Sequence, residues 1–159
     1  MKSGAMKVFF TLLGIYFLQT ACVSTQKASD AVTIDQGIRG RVVEKSGNQM
    51  PSPDVPESEG KALKTTVYVY ETTNISQVER EGTSPFYRAI HTRLVKTIES
   101  DKQGRFVLEL PVGDYSLFTK IGDRFYANSF DARNTIAPVT VSKGKVSEVN
   151  ITVSATATY

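Results

Sequence analysis

The sequence predicts an all-β domain, an antiparallel sandwich of about seven strands, and three observations point there. From Gly37 onward, short runs rich in Val, Ile, Thr, Tyr and Phe are separated by Gly, Pro, Asp and Asn. Several of these runs alternate apolar and polar residues with period two, as a strand with one buried face does. No long stretch carries apolar residues at helical spacing. The length of 159 residues suits one domain plus a tail, and 40% hydrophobic with 22% charged content is that of a globular chain.

The elements follow in order. Gly37 to Glu44 reads as the first strand, closed by a turn at Lys45 to Asn48. Residues 49–64 hold three of the six prolines and read as a loop. Thr65 to Thr72, TTVYVYET, reads as a strand, with Val67 and Val69 on one face and Tyr68 and Tyr70 on the other. Residues 73–85 are polar and read as a loop with a helical turn. Phe86 to Ser100 is an ambiguous stretch: Phe86, Tyr87 and Ile90 lie about one turn apart, so its first half is compatible with a short helix, and Leu94 to Ile98 suits a strand. Asp101 to Gly104 is a turn in which Gly tolerates positive φ. Arg105 to Leu110 then alternates, with Phe106, Leu108 and Leu110 facing inward. After a turn at residues 111–114, Tyr115 to Ile121 alternates again, and Arg124 to Asn128 extends after Gly122-Asp123. Pro138 to Ser142 and Val146 to Val153, joined by Lys143-Gly144-Lys145, are expected to form a C-terminal hairpin.

Residues 1–21 read as a signal peptide. Lys2 and Lys7 form a positive start without an acidic residue, and Val8 to Leu18 is a short apolar run. A helix of that length rises far too little, at about 1.5 Å per residue, to cross a hydrocarbon core of about 30 Å. Ala21-Cys22 follows, and the arrangement resembles a bacterial lipobox, with Gln19 departing from the usual aliphatic residue. The resemblance implies cleavage before Cys22, which then carries diacylglycerol on sulfur and an acyl chain such as palmitate on its amine. Two or more chains anchor stably where one is marginal. Residues 22–36 are the acylated cysteine and a polar, flexible tether. Val23 stands where an Asp resembles an inner-membrane retention signal, which points to the outer membrane of a bacterial cell envelope.

Two stretches carry a resemblance for residues 37–159. Gly40 to Pro51, GRVVEKSGNQMP, and Ser100 to Leu117, SDKQGRFVLELPVGDYSL, together resemble the carboxypeptidase regulatory-like domains of the prealbumin-like (transthyretin-like) sandwiches. That resemblance implies a fold and no activity. Residues 49–64 and 73–98 are longer than the family pattern, and such insertions are the usual seat of a protein's own features.

Charge and motif content narrow the function. One cysteine excludes an internal disulfide, and Cys22 with the sole His91 cannot build a Cys/His zinc site. Removal of Lys2 and Lys7 reduces the net charge from +3 to a side-chain balance of +1, so no acidic partner is implied. Dispersed charge on an exported domain speaks against nucleic acid. P-loop, dinucleotide, nucleophile-elbow and zincin motifs are absent from the chain. Asp101, Asp114 and Asp123 sit in glycine-containing turns but lack calcium-loop spacing, and Asp54, Glu57 and Glu59 read as a solvated loop. Tyr68, Tyr70, Tyr87, Tyr115, Tyr126 and Tyr159 read as packing residues, with a ligand-binding aromatic surface as the alternative. The expectation is a non-enzymatic, membrane-anchored binding or structural module. It has Cys22 as its one site residue, no catalytic, metal or cofactor residue, and an envelope protein or glycan as partner. The rivals are an envelope hydrolase using His91 with a loop carboxylate, and a subunit that adds a strand to a partner's sheet.

Overall fold

Period-two alternation in the sequence becomes two facing sheets in the computed structural model, which describes residues 33–48, 50 and 59–158. The signal-peptide, Cys22 and tether assignments up to residue 32 lie outside the described residues, as do Asp54, Glu57 and Tyr159. Among the described residues there are eleven strands and one 3-10 turn. They are β1 (Gly37–Asn48), β2 (Lys61–Ala62), β3 (Thr66–Glu71), the 3-10 turn (Ile75–Gln77), β4 (Val78–Arg80), β5 (Phe86–Ile90) and β6 (Leu94–Glu99). There follow β7 (Arg105–Glu109), β8 (Gly113–Ile121), β9 (Arg124–Tyr126), β10 (Pro138–Val141) and β11 (Val146–Thr158).

The smaller sheet has four strands with β1 at its centre. Strand β11 covers one side of β1, while β7 and β2 share the other, against Gly37–Arg41 and Val43–Glu44 respectively. The larger sheet runs β4-β5-β9-β8-β3-β6, and β10 continues the β9 side of β8. Ile38, Val42, Phe106, Leu108 and Val153 of the first sheet meet Val67, Val69, Leu117, Val139 and Val141 of the second in one buried core. Burying each such aliphatic side chain contributes roughly 1.5–3 kcal/mol. The inward set expected for β7, and Tyr115 at the start of β8, are where the alternation put them.

Six expectations are corrected, two of them because β2 and β4 are short strands within segments 49–64 and 73–85 read as loops. Phe86 to Ile90 is strand β5 and not a short helix: Phe86 faces the inter-sheet core beside Tyr126, and Tyr87 faces the opposite side. Two-sided burial of this kind imitates helical spacing over five residues. The C-terminal hairpin does not form, because β10 pairs with β8 while β11 crosses to the other sheet and pairs with β1. That β1–β11 ladder is parallel, so the sandwich is not wholly antiparallel. Strand β1 also runs through the turn expected at residues 45–48, because β11 stays beside it as far as Thr158, with an irregularity between Glu44 and Ser46.

Two glycines make close strand approaches possible. A Cβ on Gly40 would lie 1.7 Å from the Val149 carbonyl oxygen, so only glycine lets β11 approach here. Gly104 has φ of +76°, and a Cβ there would lie 2.2 Å from the Val42 oxygen, while its own carbonyl accepts from the Val42 amide at 2.8 Å.

Strand β8 is buried on both faces from Tyr115 through Thr119. Its outward residue Phe118 lies in a second cluster with Tyr70, Tyr87, Ala127 and Ile136. Ile75, Val78 and Ile90, from the 3-10 turn and the β4–β5 hairpin, pack over it. The insertion at residues 73–93 is therefore a cover for the outer face of the larger sheet. Glu81 bonds Arg88 of β5 and Arg124 of β9, and these two guanidinium groups hold its carboxyl below the usual range.

Candidate functional site

Where that cover ends, a polar cleft of about 530 Å³ opens on the outer face of the larger sheet. Its floor follows from strand parity. Val139, Val141 and Tyr115 point into the inter-sheet core, so Thr140 and its ladder partner Asp114 point outward. The Thr140 hydroxyl donates to Asp114 Oδ1 at 2.6 Å, and the Thr72 hydroxyl donates to the Asp114 carbonyl at 3.1 Å.

One wall is the 3-10 turn. Asn74 caps it by accepting from the Ser76 amide, and Gln77 Oε1 accepts from the Asn74 amide at 2.9 Å. No described residue bonds the Gln77 side-chain NH2. The other wall is the turn at residues 131–135. Asp131 Oδ1 accepts from the Arg133 and Thr135 amides, each at 2.8 Å, and Asn134 supplies the left-handed residue with φ of +60°. The Thr135 amide chiefly, with the Arg133 amide, keeps the Asp131 carboxyl below its ordinary range. Asn74 Nδ2 donates to the Arg133 carbonyl at 2.8 Å and the Ile75 amide to Asn134 O at 3.2 Å, so the walls are tied to each other. The Arg133 side chain is 91% exposed, with its Nε 3.9 Å from Asp131 Oδ2.

A smaller groove of about 210 Å³ runs between Val149–Thr152 of β11 and Asn128, Ala137 and Pro138. Strand β11 is the outer strand of its sheet. Gly37 N donates to Lys145 O, so with the parallel register the odd-numbered residues of β11 bond β1 as far as the irregularity after Val153, and the even-numbered ones up to Ser154 turn their amides and carbonyls outward. Two of those outward groups are capped from the other sheet. Asn128 Nδ2 donates to Thr152 O at 3.3 Å, and the Ser154 amide donates to the Tyr126 hydroxyl at 2.9 Å. An edge covered this way is a weaker template for another strand.

The residues singled out from sequence fall in separate places. His91 Nε2 lies 3.4 Å from Glu79 Oε1, an exposed pair that lines neither cleft. Asp101 closes its own turn, accepting from the Gln103 and Arg105 amides and from Arg105 Nε. The Arg105 amide is the main reason its carboxyl stays below the ordinary range. The Asp123 carbonyl accepts from Lys120 Nζ. Only Asp114 of the three turn aspartates reaches the cleft. Among the described residues no group of three or more His, Cys, Asp or Glu is placed to hold a metal ion.

Among the described residues the tyrosines pack against neighbours and form no exposed aromatic surface. Tyr70, Tyr87, Tyr115 and Tyr126 are buried and Tyr68 is half-buried, its ring edge-on to Phe125 at 5.1 Å. Burial raises the Tyr70 and Tyr87 phenols above their ordinary range. Sequence reasoning missed Thr72, Asn74, Gln77, Asp131, Arg133, Thr135 and Thr140. The capping pattern Asn74-x-x-Gln77 and the turn pattern Asp131-x-Arg133-Asn134-Thr135 were the legible signals for the two walls. Nothing local in the sequence shows that they face each other.

The fold and cleft together define a two-sheet β-sandwich with a polar recess on one outer face. Comparison with protein-family models, with curated proteins and with solved structures finds no match for the chain.

Proposed function

We propose that this chain is a membrane-anchored lipoprotein of the bacterial cell envelope, non-enzymatic, which uses its β-sandwich as a binding module. The observation that carries the reading is the run from Lys2 to Cys22: positive start, short apolar stretch, small Ala21, then the chain's one cysteine. The polar residues after Cys22 supply a tether from the membrane surface to β1. The prealbumin-like character of the sandwich belongs to the same reading and rests on the SDKQGRFVLELPVGDYSL stretch. Binding is supported by the cleft, whose side chains are already oriented by internal hydrogen bonds. Among the described residues no third group bonds the His91–Glu79 pair to orient it for acid–base work.

The test is Cys22→Ser, followed by metabolic labelling with palmitate and by membrane fractionation. The wild-type chain should take up label and sediment with membranes, and the variant should lose label and remain unprocessed or soluble. Normal processing and membrane association of the variant would overturn the anchor.

A further inference from the structure

We infer that the cleft between the 3-10 turn and the 131–135 turn binds a neutral, polyhydroxylated ligand, a short glycan. This rests on the binding-module reading and names the ligand class of that module. The argument starts from hydrogen-bonding capacity left over after the internal bonds are formed. Asp114 spends Oδ1 on Thr140 and keeps Oδ2 as an acceptor at the floor. Gln77 spends Oε1 on the Asn74 amide and keeps two N–H donors on one wall. Asp131 spends Oδ1 on two backbone amides, and beside it the exposed Arg133 guanidinium offers donors on the opposite wall. Donors and acceptors thus alternate around one recess. A sugar hydroxyl donates and accepts at once, and neighbouring hydroxyls on one ring satisfy such a set without any charge on the ligand.

Other ligand classes fit worse. An apolar ligand would strip water from the free carboxylate and amide groups and give nothing back. Two carboxylates beside a single cation disfavour a phosphate or other polyanion. Two carboxylates alone are too few for a hard cation, which takes six or more oxygens. The volume of about 530 Å³ lies within the roughly 300–1,000 Å³ of small-molecule sites and holds one or two sugar rings. Asn74, Gln77, Asp114 and Asp131 are already held by internal hydrogen bonds, so these side chains lose little conformational entropy on binding.

The experiment is a titration of the full chain in detergent, followed by its amide NMR spectrum. The probes are cellobiose and N,N′-diacetylchitobiose, with inorganic phosphate and spermidine as comparison ligands. At least one disaccharide should shift the signals of Asn74, Gln77, Asp114 and residues 131–135 at millimolar concentration, more strongly than phosphate or spermidine does. Asp114→Ala and Arg133→Ala, both at exposed side chains, should each weaken that binding about tenfold, while Lys102→Ala in a distant turn leaves it unchanged. No shift with either disaccharide, shifts confined to other residues, or a stronger response to phosphate or spermidine overturns the inference. So does full affinity in both cleft variants. Because acylation plays no part in this titration, loss of the Cys22 anchor and loss of glycan binding register separately.

Discussion

Among the described residues two hydrophobic clusters lie on opposite faces of one sheet, and they are built differently. Between the sheets the core is mostly aliphatic, with Val67, Val69, Leu108, Leu117 and Val141 meeting across the sandwich. On the outer face the cluster is mostly aromatic. Phe118 stands edge-on to Tyr70 at 5.7 Å and to Tyr87 at 5.6 Å, and Tyr68 and Tyr70 contact Phe125 in the same manner. The first cluster is made by two sheets that exist anyway. The second is closed by Ile75, Val78, Tyr87 and Ile90 of residues 73–93 together with Phe125, Ala127 and Ile136. It follows that the insertion is a structural layer, and that its rim, where apolar cover gives way to Thr72, Asn74 and Gln77, is where the polar cleft begins.

Deleting a ring tests whether the second cluster bears as much of the stability as the first. Phe118→Ala should cost about 4 kcal/mol and Leu108→Ala about 3 kcal/mol, both read from urea unfolding. If Phe118→Ala costs under about 0.5 kcal/mol, the range of surface substitutions, the aromatic cluster is a loose cover. A smaller effect belongs to the link between the sheets. Tyr126→Phe removes the hydroxyl that accepts from the Ser154 amide and pairs with Ser154 Oγ at 3.1 Å. It should cost about 1 kcal/mol and speed hydrogen exchange at Ser154 while leaving Tyr70 and Phe118 protected.

The smallest effects are at the exposed turns and depend on pH. Asp101 and Asp131 are held below the ordinary carboxyl range by backbone amides, Arg105 and Thr135 foremost. A depressed folded-state value means their contribution is fully present above the unfolded value of about 3.9. It is lost as pH falls through the folded value. Asp101→Asn and Asp131→Asn should therefore flatten the fall in stability below that point, seen as a smaller pH slope of the thermal midpoint. An unchanged slope in both would show that these turns do not couple to folding. The Asp131 variant should also alter the cleft, whereas the Asp101 variant should not.

Legibility in the sequence tracks the range of the interaction. Strands β3, β7 and β8 were readable because alternation is local: each apolar residue reports its own face. Tyr68 and Tyr70 already had to point either away from the core or into a second layer, since they oppose Val67 and Val69. The layer itself was hidden, because Phe86 to Ile90 buries residues on both faces and so mimics a helical turn. The partner of β11 was hidden for another reason. A hairpin costs little loop entropy, and residues 142–145 suit one, yet the paired strands lie more than a hundred residues apart in sequence.

The sequence by itself determined strands such as β3, β7 and β8, the tight turn from Asp101 to Gly104, the inward face of β7 and the lipobox-like start, because each depends on residues close along the chain. Only the tertiary structure decided which sheet received β11, what covered the tyrosine face, and that Asp114 would meet Gln77 and Arg133 across one cleft. Those outcomes depend on which distant surfaces exclude water together, and no local pattern carries that information.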